Sequence, residues 1–243
     1  MDELKRINQQ FTRTYILYLV VFLLFGAVAI TAGFLIQDSN LEFIVFLLLI
    51  IVLMVVSVFF KSYLDRIQNV SYLIRIMRNA SGPLELNHMK EIPVFEAYAR
   101  QKDFVLYSQA ETFKVFYKAE KDHINRIRRR YILQVLVLLS PSEPIFFSDK
   151  ADVEINKLNQ ELLKKKMKVS RMLVSQIKPV DELNESNKQA LKEIVFYRSK
   201  RETISVINVA LDKNTNKAVM LYSDTYSPSQ YYKYHVDQLK TLI

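Results

Sequence analysis

Two long apolar runs open the chain. YILYLVVFLLFGAVAITAGFLI, residues 15 to 36, carries no charge, and FIVFLLLIIVLMVVSVFF, residues 43 to 60, has Ser57 as its only polar member. As helices rising about 1.5 Å per residue they would reach about 33 and 27 Å, against a hydrocarbon core of about 30 Å. In lipid a helix satisfies its own backbone hydrogen bonds, so both runs predict transmembrane helices. The six-residue link QDSNLE, residues 37 to 42, makes them a tight hairpin. A cleaved signal peptide is the rival reading, with Ala27-Val28-Ala29 as its cleavage triplet. The first run is too long for a signal core, continues apolar past that triplet, and is followed directly by a second span.

The basic flanks set the orientation. Lys5, Arg6 and Arg13 precede the first run, and Lys61, Arg66, Arg75 and Arg78 follow the second, while the link has no Lys or Arg. Basic residues stay on the cytoplasmic side, so both termini are expected inside a multi-pass cell-membrane protein. In the first helix Gly26, Ala29 and Gly33 share one face, suited to close packing within the hairpin. No ionisable residue lies within either span, which speaks against an ion or proton pathway.

Beyond the second run a heptad spacing continues through Tyr63, Ile67, Val70, Ile74 and Met77, and Gly82-Pro83 supplies a stop. One helix of about 36 residues, Phe43 to Arg78, is predicted, with residues 61 to 82 as a stalk. A two-heptad seam more often packs on its own domain than on a second chain. A homodimer through the stalk is the alternative; a cysteine placed at Val70 would then crosslink in membranes, and no crosslink would remove the idea.

Residues 83 to 243 then read as one domain. FVLY (104 to 107) and FKVFYK (113 to 118) predict a hairpin, although Phe113, Tyr117, Ile124 and Ile127 also fit a helical face. YILQVLVLL, residues 131 to 139, is too short to span and reads as a buried central strand. SDKADVEINKLNQELLKKK, residues 148 to 166, is a helix with acid at its start and base at its end. Strands are expected at 167 to 177 and 193 to 199, and a hairpin at 203 to 224 about the polar turn Asp212 to Asn216. A final helix follows, with Ser227 as N-cap, Pro228 in the first helical position and Gln230 completing a capping box. The expected fold is an α+β cytoplasmic domain, with a mainly antiparallel sheet of five or six strands and packed helices, attached to a two-helix transmembrane hairpin. The remaining segments are an N-terminal tail (1 to 14), read as disordered, and the hairpin itself (15 to 60).

Charge now adds a functional colour. The chain has 34 Lys and Arg against 25 Asp and Glu. Setting aside Lys5, Arg6 and Arg13, and Asp2, Glu3, Asp38 and Glu42, leaves 31 against 21 from residue 61 onward, a net +10. The bases cluster at Arg126, Arg128, Arg129 and Arg130; at Lys164, Lys165, Lys166, Lys168 and Arg171; at Arg198, Lys200 and Arg201; and at Lys61, Arg66, Arg75 and Arg78. Beside a membrane such an excess favours anionic lipid headgroups or acidic protein surfaces, with nucleic acid a weaker fit. The bland explanation of Arg126 to Arg130 is the wet end of a buried strand.

Chemistry is mostly excluded. Only three glycines are present, two of them in the first span, so Gly82 alone serves the rest. No P-loop, dinucleotide fingerprint or nucleophile elbow can be built from it. There is no cysteine. His88, His123 and His235 are far apart; His88 pairs in sequence only with Glu91, His123 reads as solvated, and His235 as packed on its helix. The nuclease pattern of an acid two before a lysine occurs only at Glu3-Leu4-Lys5. No metal and no cofactor are expected. The reading is a non-catalytic docking domain on a membrane anchor; the alternative is a membrane-tethered enzyme acting on a phosphorylated or nucleic-acid substrate.

Overall fold

The computed structural model describes residues 2–88, 92–124, 130–143, 145–181, 183–193, 195–198 and 202–243. The chain forms two compact units, the first ending at Ile74 and the second running from Arg75 to Ile243.

The first unit is two antiparallel helices, α1 (Asp2–Leu35) and α2 (Ser39–Arg78), the last turn of α2 being counted with the second unit. Both are long and apolar enough to cross a membrane. Contacts among the described residues include these. Gln10 Nε2 donates to Tyr63 Oη at 3.0 Å. The Tyr18 ring packs on Phe60 at 5.4 Å with its hydroxyl 3.3 Å from Ser57 Oγ. At the link end, a Cβ on Gly33 would sit 3.6 Å from the Phe46 ring, whereas one on Gly26 would meet nothing within 4 Å. Ala29 is half-buried. Away from this seam the apolar side chains are exposed, Leu23 at 70% and Phe34 at 85%.

Two expectations change here. The tail is helical from Asp2, because no Gly or Pro interrupts residues 2 to 25. The link is shorter than six residues, because Asp38 caps α2: its Oδ1 accepts from Asn40 N at 2.8 Å.

The second unit is a three-layer α/β/α arrangement around an eight-stranded sheet. Its elements in chain order are β1 (Leu84–Glu85), α3 (Ile92–Gln101), β2 (Val105–Gln109), β3 (Phe113–Lys121), β4 (Tyr131–Leu139), α4 (Asp149–Lys164), β5 (Val169–Val180), α5 (Glu185–Lys192), β6 (Val195–Arg198), β7 (Thr203–Asp212), β8 (Lys217–Met220) and α6 (Gln230–Leu242). The sheet order is β1-β8-β7-β5-β4-β3-β2, with β6 also paired to β7. β6 and β8 lie end to end along one edge of β7, pairing with Thr203–Val206 and Val209–Asp212 respectively.

The sheet has eight strands rather than five or six and is mixed: most of its ladders are antiparallel, as expected, but the centre is not. β4–β5 and β5–β7, its two central ladders, are parallel, and the outer pairings are antiparallel. α4 makes the first crossover and α5 with β6 the second. β4 is buried along eight of its nine residues, which explains its nearly unbroken apolar run. α4 places Ala151, Ile155, Leu158 and Leu162, and α5 places Leu191, against Val115, Leu133, Val135, Val174 and Ala210 on one sheet face. α6 covers the other face, its Tyr231 packed with Ile132 and Leu173, and α3 lies beside α6.

Two helices were not anticipated. α3 lies just before the predicted hairpin, in a stretch given no element from sequence, with Pro93 tolerated in its first turn. α5 has only one buried residue, Leu191, so its pattern is weak; Asn184 caps it, accepting from Asn187 N at 2.7 Å. The predicted cap of α6 moves by two residues. Ser229 Oγ accepts from Tyr232 N at 3.0 Å, while Ser227 Oγ donates to Ser229 O. Ser229→Ala is therefore expected to destabilise the protein by about 1 kcal/mol, and Ser227→Ala by less, read as urea midpoints.

Candidate functional site

Parallel strands begin at the same end of a sheet, and that geometry gathers the basic segments. Tyr131 pairs with Val169, Ile132 with Arg171, Arg171 with Thr203, and Thr203 with Arg198. The β3–β4, α4–β5 and β6–β7 connections thus all depart from one end of the sheet. Backbone bonds stitch it: Tyr131 N donates to Lys168 O at 3.1 Å and Asp122 N to Arg130 O at 2.7 Å. Lys164, Lys165, Lys166, Lys168 and Arg198 are exposed there, and Arg130 is half-buried. Arg126, Arg128, Arg129, Lys200 and Arg201 lie outside the described residues. Lys166 has φ 62°, the left-handed position after a helix where glycine is usual, and its N–H caps Leu163 O at 2.9 Å.

Arg171 does not belong to this exposed set. It is buried, with its guanidinium 4.6 Å from the Tyr231 ring and Nη1 donating to Ser170 O at 2.6 Å. A side chain enclosed beneath α6 cannot reach a docked surface. The stalk cations are distributed along α2: Lys61, Arg66 and Arg78 are exposed, and Arg75 lies 5.9 Å over the Tyr226 ring. The predicted stalk seam does not share one environment. Ile67 is buried and Ile74 half-buried, while Tyr63, Val70 and Met77 are exposed.

Behind the basic end, under α6, runs a polar layer that sequence reasoning missed. Tyr231 Oη donates to Asp122 Oδ2 at 2.7 Å, and Tyr234 Oη to Glu120 Oε1 at 2.5 Å. Gln134, the one polar residue of β4, donates to the same Glu120 oxygen at 3.0 Å. Burial, and then the neighbouring carboxylate, pushes both tyrosine hydroxyls above their usual pKa, so they act as fixed donors. Further along, Ser175 Oγ lies 2.9 Å from His235 Nε2 and Ser205 Oγ 3.0 Å from Nδ1. Burial pushes the imidazole pKa down to about 3, so the ring is neutral, donating through one nitrogen and accepting through the other. A serine within reach of a histidine suggests a nucleophile, but this pair is enclosed and its Nδ1 faces a hydroxyl rather than a carboxylate. It is an internal cross-brace.

On the opposite face a cavity of about 440 Å³ opens between α4 and α5. Met172, Val174 and Gln176 of β5 and Ile204, Val206 and Asn208 of β7 form its floor, in register pair by pair. Phe146, Ile155 and Ala190 wall it, and Asp152, Asn156 and Glu193 add polar groups. Burial, with help from Asp149, raises the Asp152 pKa. Lys178, beyond Gln176 on β5, holds its ammonium 5.8 Å from the Phe146 ring, and burial lowers its pKa despite the opposing charge of Glu143. The one hint of this cavity in sequence is that Gln176 and Asn208 are lone amides within apolar strands.

The other two histidines make surface ring contacts. His88 stacks on Tyr98 at 4.1 Å, and its sequence partner Glu91 lies outside the described residues. His123 is half-exposed and edge-on to Tyr234. Among the described residues no three His, Cys, Asp or Glu side chains are grouped to hold a metal ion. No protein-family model, curated protein or solved structure matches the chain.

Proposed function

We propose that the chain is a membrane-anchored docking protein. Its apolar helical hairpin crosses the bilayer with both termini in the cytoplasm, and the basic end of its sheet engages an anionic surface, either acidic protein or anionic lipid headgroups, within a membrane-bound assembly. The observation that carries this reading is that Lys164, Lys165, Lys166, Lys168 and Arg198, with half-buried Arg130, come from three separate stretches of sequence to one end of a parallel sheet core. Each Lys or Arg brought near an anionic membrane contributes about 1 kcal/mol. Exposed apolar flanks on both hairpin helices and a link without Lys or Arg support the anchoring and its orientation.

Full-length protein in phosphatidylcholine nanodiscs is expected to capture vesicles containing phosphatidylserine and not vesicles of phosphatidylcholine alone. Capture should fade with added salt, as the screening length falls from about 10 Å at 0.1 M to about 3 Å at 1 M. Salt-insensitive capture, or equal capture of neutral vesicles, would remove the lipid arm, leaving an acidic protein face to be sought by crosslinking in native membranes. Turnover of a nucleic acid or phosphoester by the purified chain would replace the whole reading with an enzymatic one. For orientation, protease added outside intact cells is expected to leave the unit from Arg75 to Ile243 uncut; its digestion would place that unit outside.

A further inference from the structure

The cavity between α4 and α5 has a chemistry opposite to that of the basic domain around it. Two carboxylates, Asp152 and Glu193, border it, and none of its described lining residues is Lys, Arg or His; the Lys178 ammonium, 5.8 Å from the Phe146 ring, is not among them. Its floor is mostly apolar, and so is its mouth, where Ile145, Phe147 and Val195 are about half exposed. The floor ends in the cross-strand amide pair Gln176 and Asn208, both buried. The side-chain nitrogen of Asn208 donates to Ala190 O at 2.9 Å and to Glu193 O at 3.1 Å, which fixes how the amide is turned. Its Oδ1 is left as a buried acceptor with no hydrogen-bond partner among the described residues. A pocket of this volume is ordinary for small ligands, which occupy roughly 300–1,000 Å³ and are oriented by a few polar groups on an apolar wall.

We propose that this cavity binds a small organic ammonium ion, its apolar body lying over Val174 and Val206 and its N–H groups meeting Asn208 Oδ1 and the Asp152 carboxylate. The wall discriminates against the other classes. A hydrocarbon would bury Asp152 against carbon and leave Asn208 Oδ1 unpaired. An anion would face two carboxylates. A neutral alcohol could satisfy Asn208 Oδ1 but leaves the carboxylate charge uncompensated.

The test uses full-length protein in phosphatidylcholine nanodiscs and three fluorinated probes of matched shape: para-fluorophenethylamine, para-fluorophenethyl alcohol and para-fluorophenylacetate. Binding is read by fluorine NMR, with empty nanodiscs as the blank. The amine is expected to bind about tenfold or more tightly than the alcohol, as a charge-assisted hydrogen bond does relative to a neutral one, and the acid not to bind. Asp152→Asn should bring amine and alcohol to within about twofold while the alcohol still binds. Ala190→Leu, which fills the cavity from α5, should abolish both. No binding above the blank, equal binding of amine and alcohol, or an amine preference untouched by Asp152→Asn would each overturn the proposal. Should the Ala190→Leu protein fail to fold, the partly exposed Asp152→Asn change still decides it.

Discussion

Replacing His235 by alanine is expected to destabilise the domain by about 3–5 kcal/mol, the largest single-residue effect we expect. The ring is fully buried and bridges Ser175 on β5 to Ser205 on β7, so its loss opens a void and orphans two hydroxyls together. His235→Gln, which can still bond both serines, should cost less. The same ring makes stability depend on pH. The folded state holds it neutral down to about pH 3, whereas an unfolded chain protonates it near 6.5. Between those values the unfolded state binds more protons, so the contribution is complete above about pH 6.5 and shrinks as pH falls. Near pH 5 the loss amounts to about 2 kcal/mol. Urea midpoints of the full chain in one detergent, near pH 7 and near pH 5, check this. If His235→Gln loses as much stability as the parent on acidification, the histidine is not the group responsible.

Neutralising Lys164, Lys165, Lys166 and Lys168 together to glutamine is expected to weaken capture of anionic vesicles by about 10²–10³-fold, at about 1 kcal/mol per charge less partial screening. All four are exposed, so folding should be little changed. Lys150, Lys213 and Lys217 provide the control. They lie at the opposite end of the parallel strands, Lys150 at the start of α4, Lys213 in the β7–β8 turn and Lys217 at the start of β8, and their neutralisation should cost far less per charge. A loss per charge as large as that at Lys164–Lys168 would mean that net charge, and not this end of the sheet, governs capture. The Lys166 change carries a further signature. Because its backbone sits at φ 62°, Lys166→Gly should stabilise the protein by up to about 1 kcal/mol while weakening capture, separating fold from binding at one position.

Much of the fold was legible because local signals agreed. α4 has its Ser148 cap, acidic first turn and period of apolar residues, and it forms where the pattern places it. The β7–β8 hairpin turns at Asp212, whose carboxylate accepts from Asn214 N and Thr215 N, as a polar turn should. Strand direction was not legible, since an apolar strand reads alike whichever way its neighbour runs. The burial of YILQVLVLL along eight of its nine residues marks a central strand, as expected, without fixing the direction of its neighbours. α5 escaped because one buried leucine in eight residues leaves almost no period to detect. The basic clusters were visible as segments but not as a surface, because their meeting depends on the crossovers. Arg171 shows the converse error: it is counted with its lysine neighbours in sequence, yet strand alternation turns it under α6. The cavity left no sign in sequence beyond its two amides, because Gln176 and Asn208 meet through strand register and Asp152 joins them only when α4 packs on the sheet.

The parallel core also determines what can imitate the charged face. Its three contributing segments are brought level by strand pairing alone, so a synthetic peptide copied from any one of them would carry a fraction of the charge and none of the spacing. Whatever recognises this face reads a discontinuous pattern, and recognition should vanish on unfolding even though every lysine and arginine is still present.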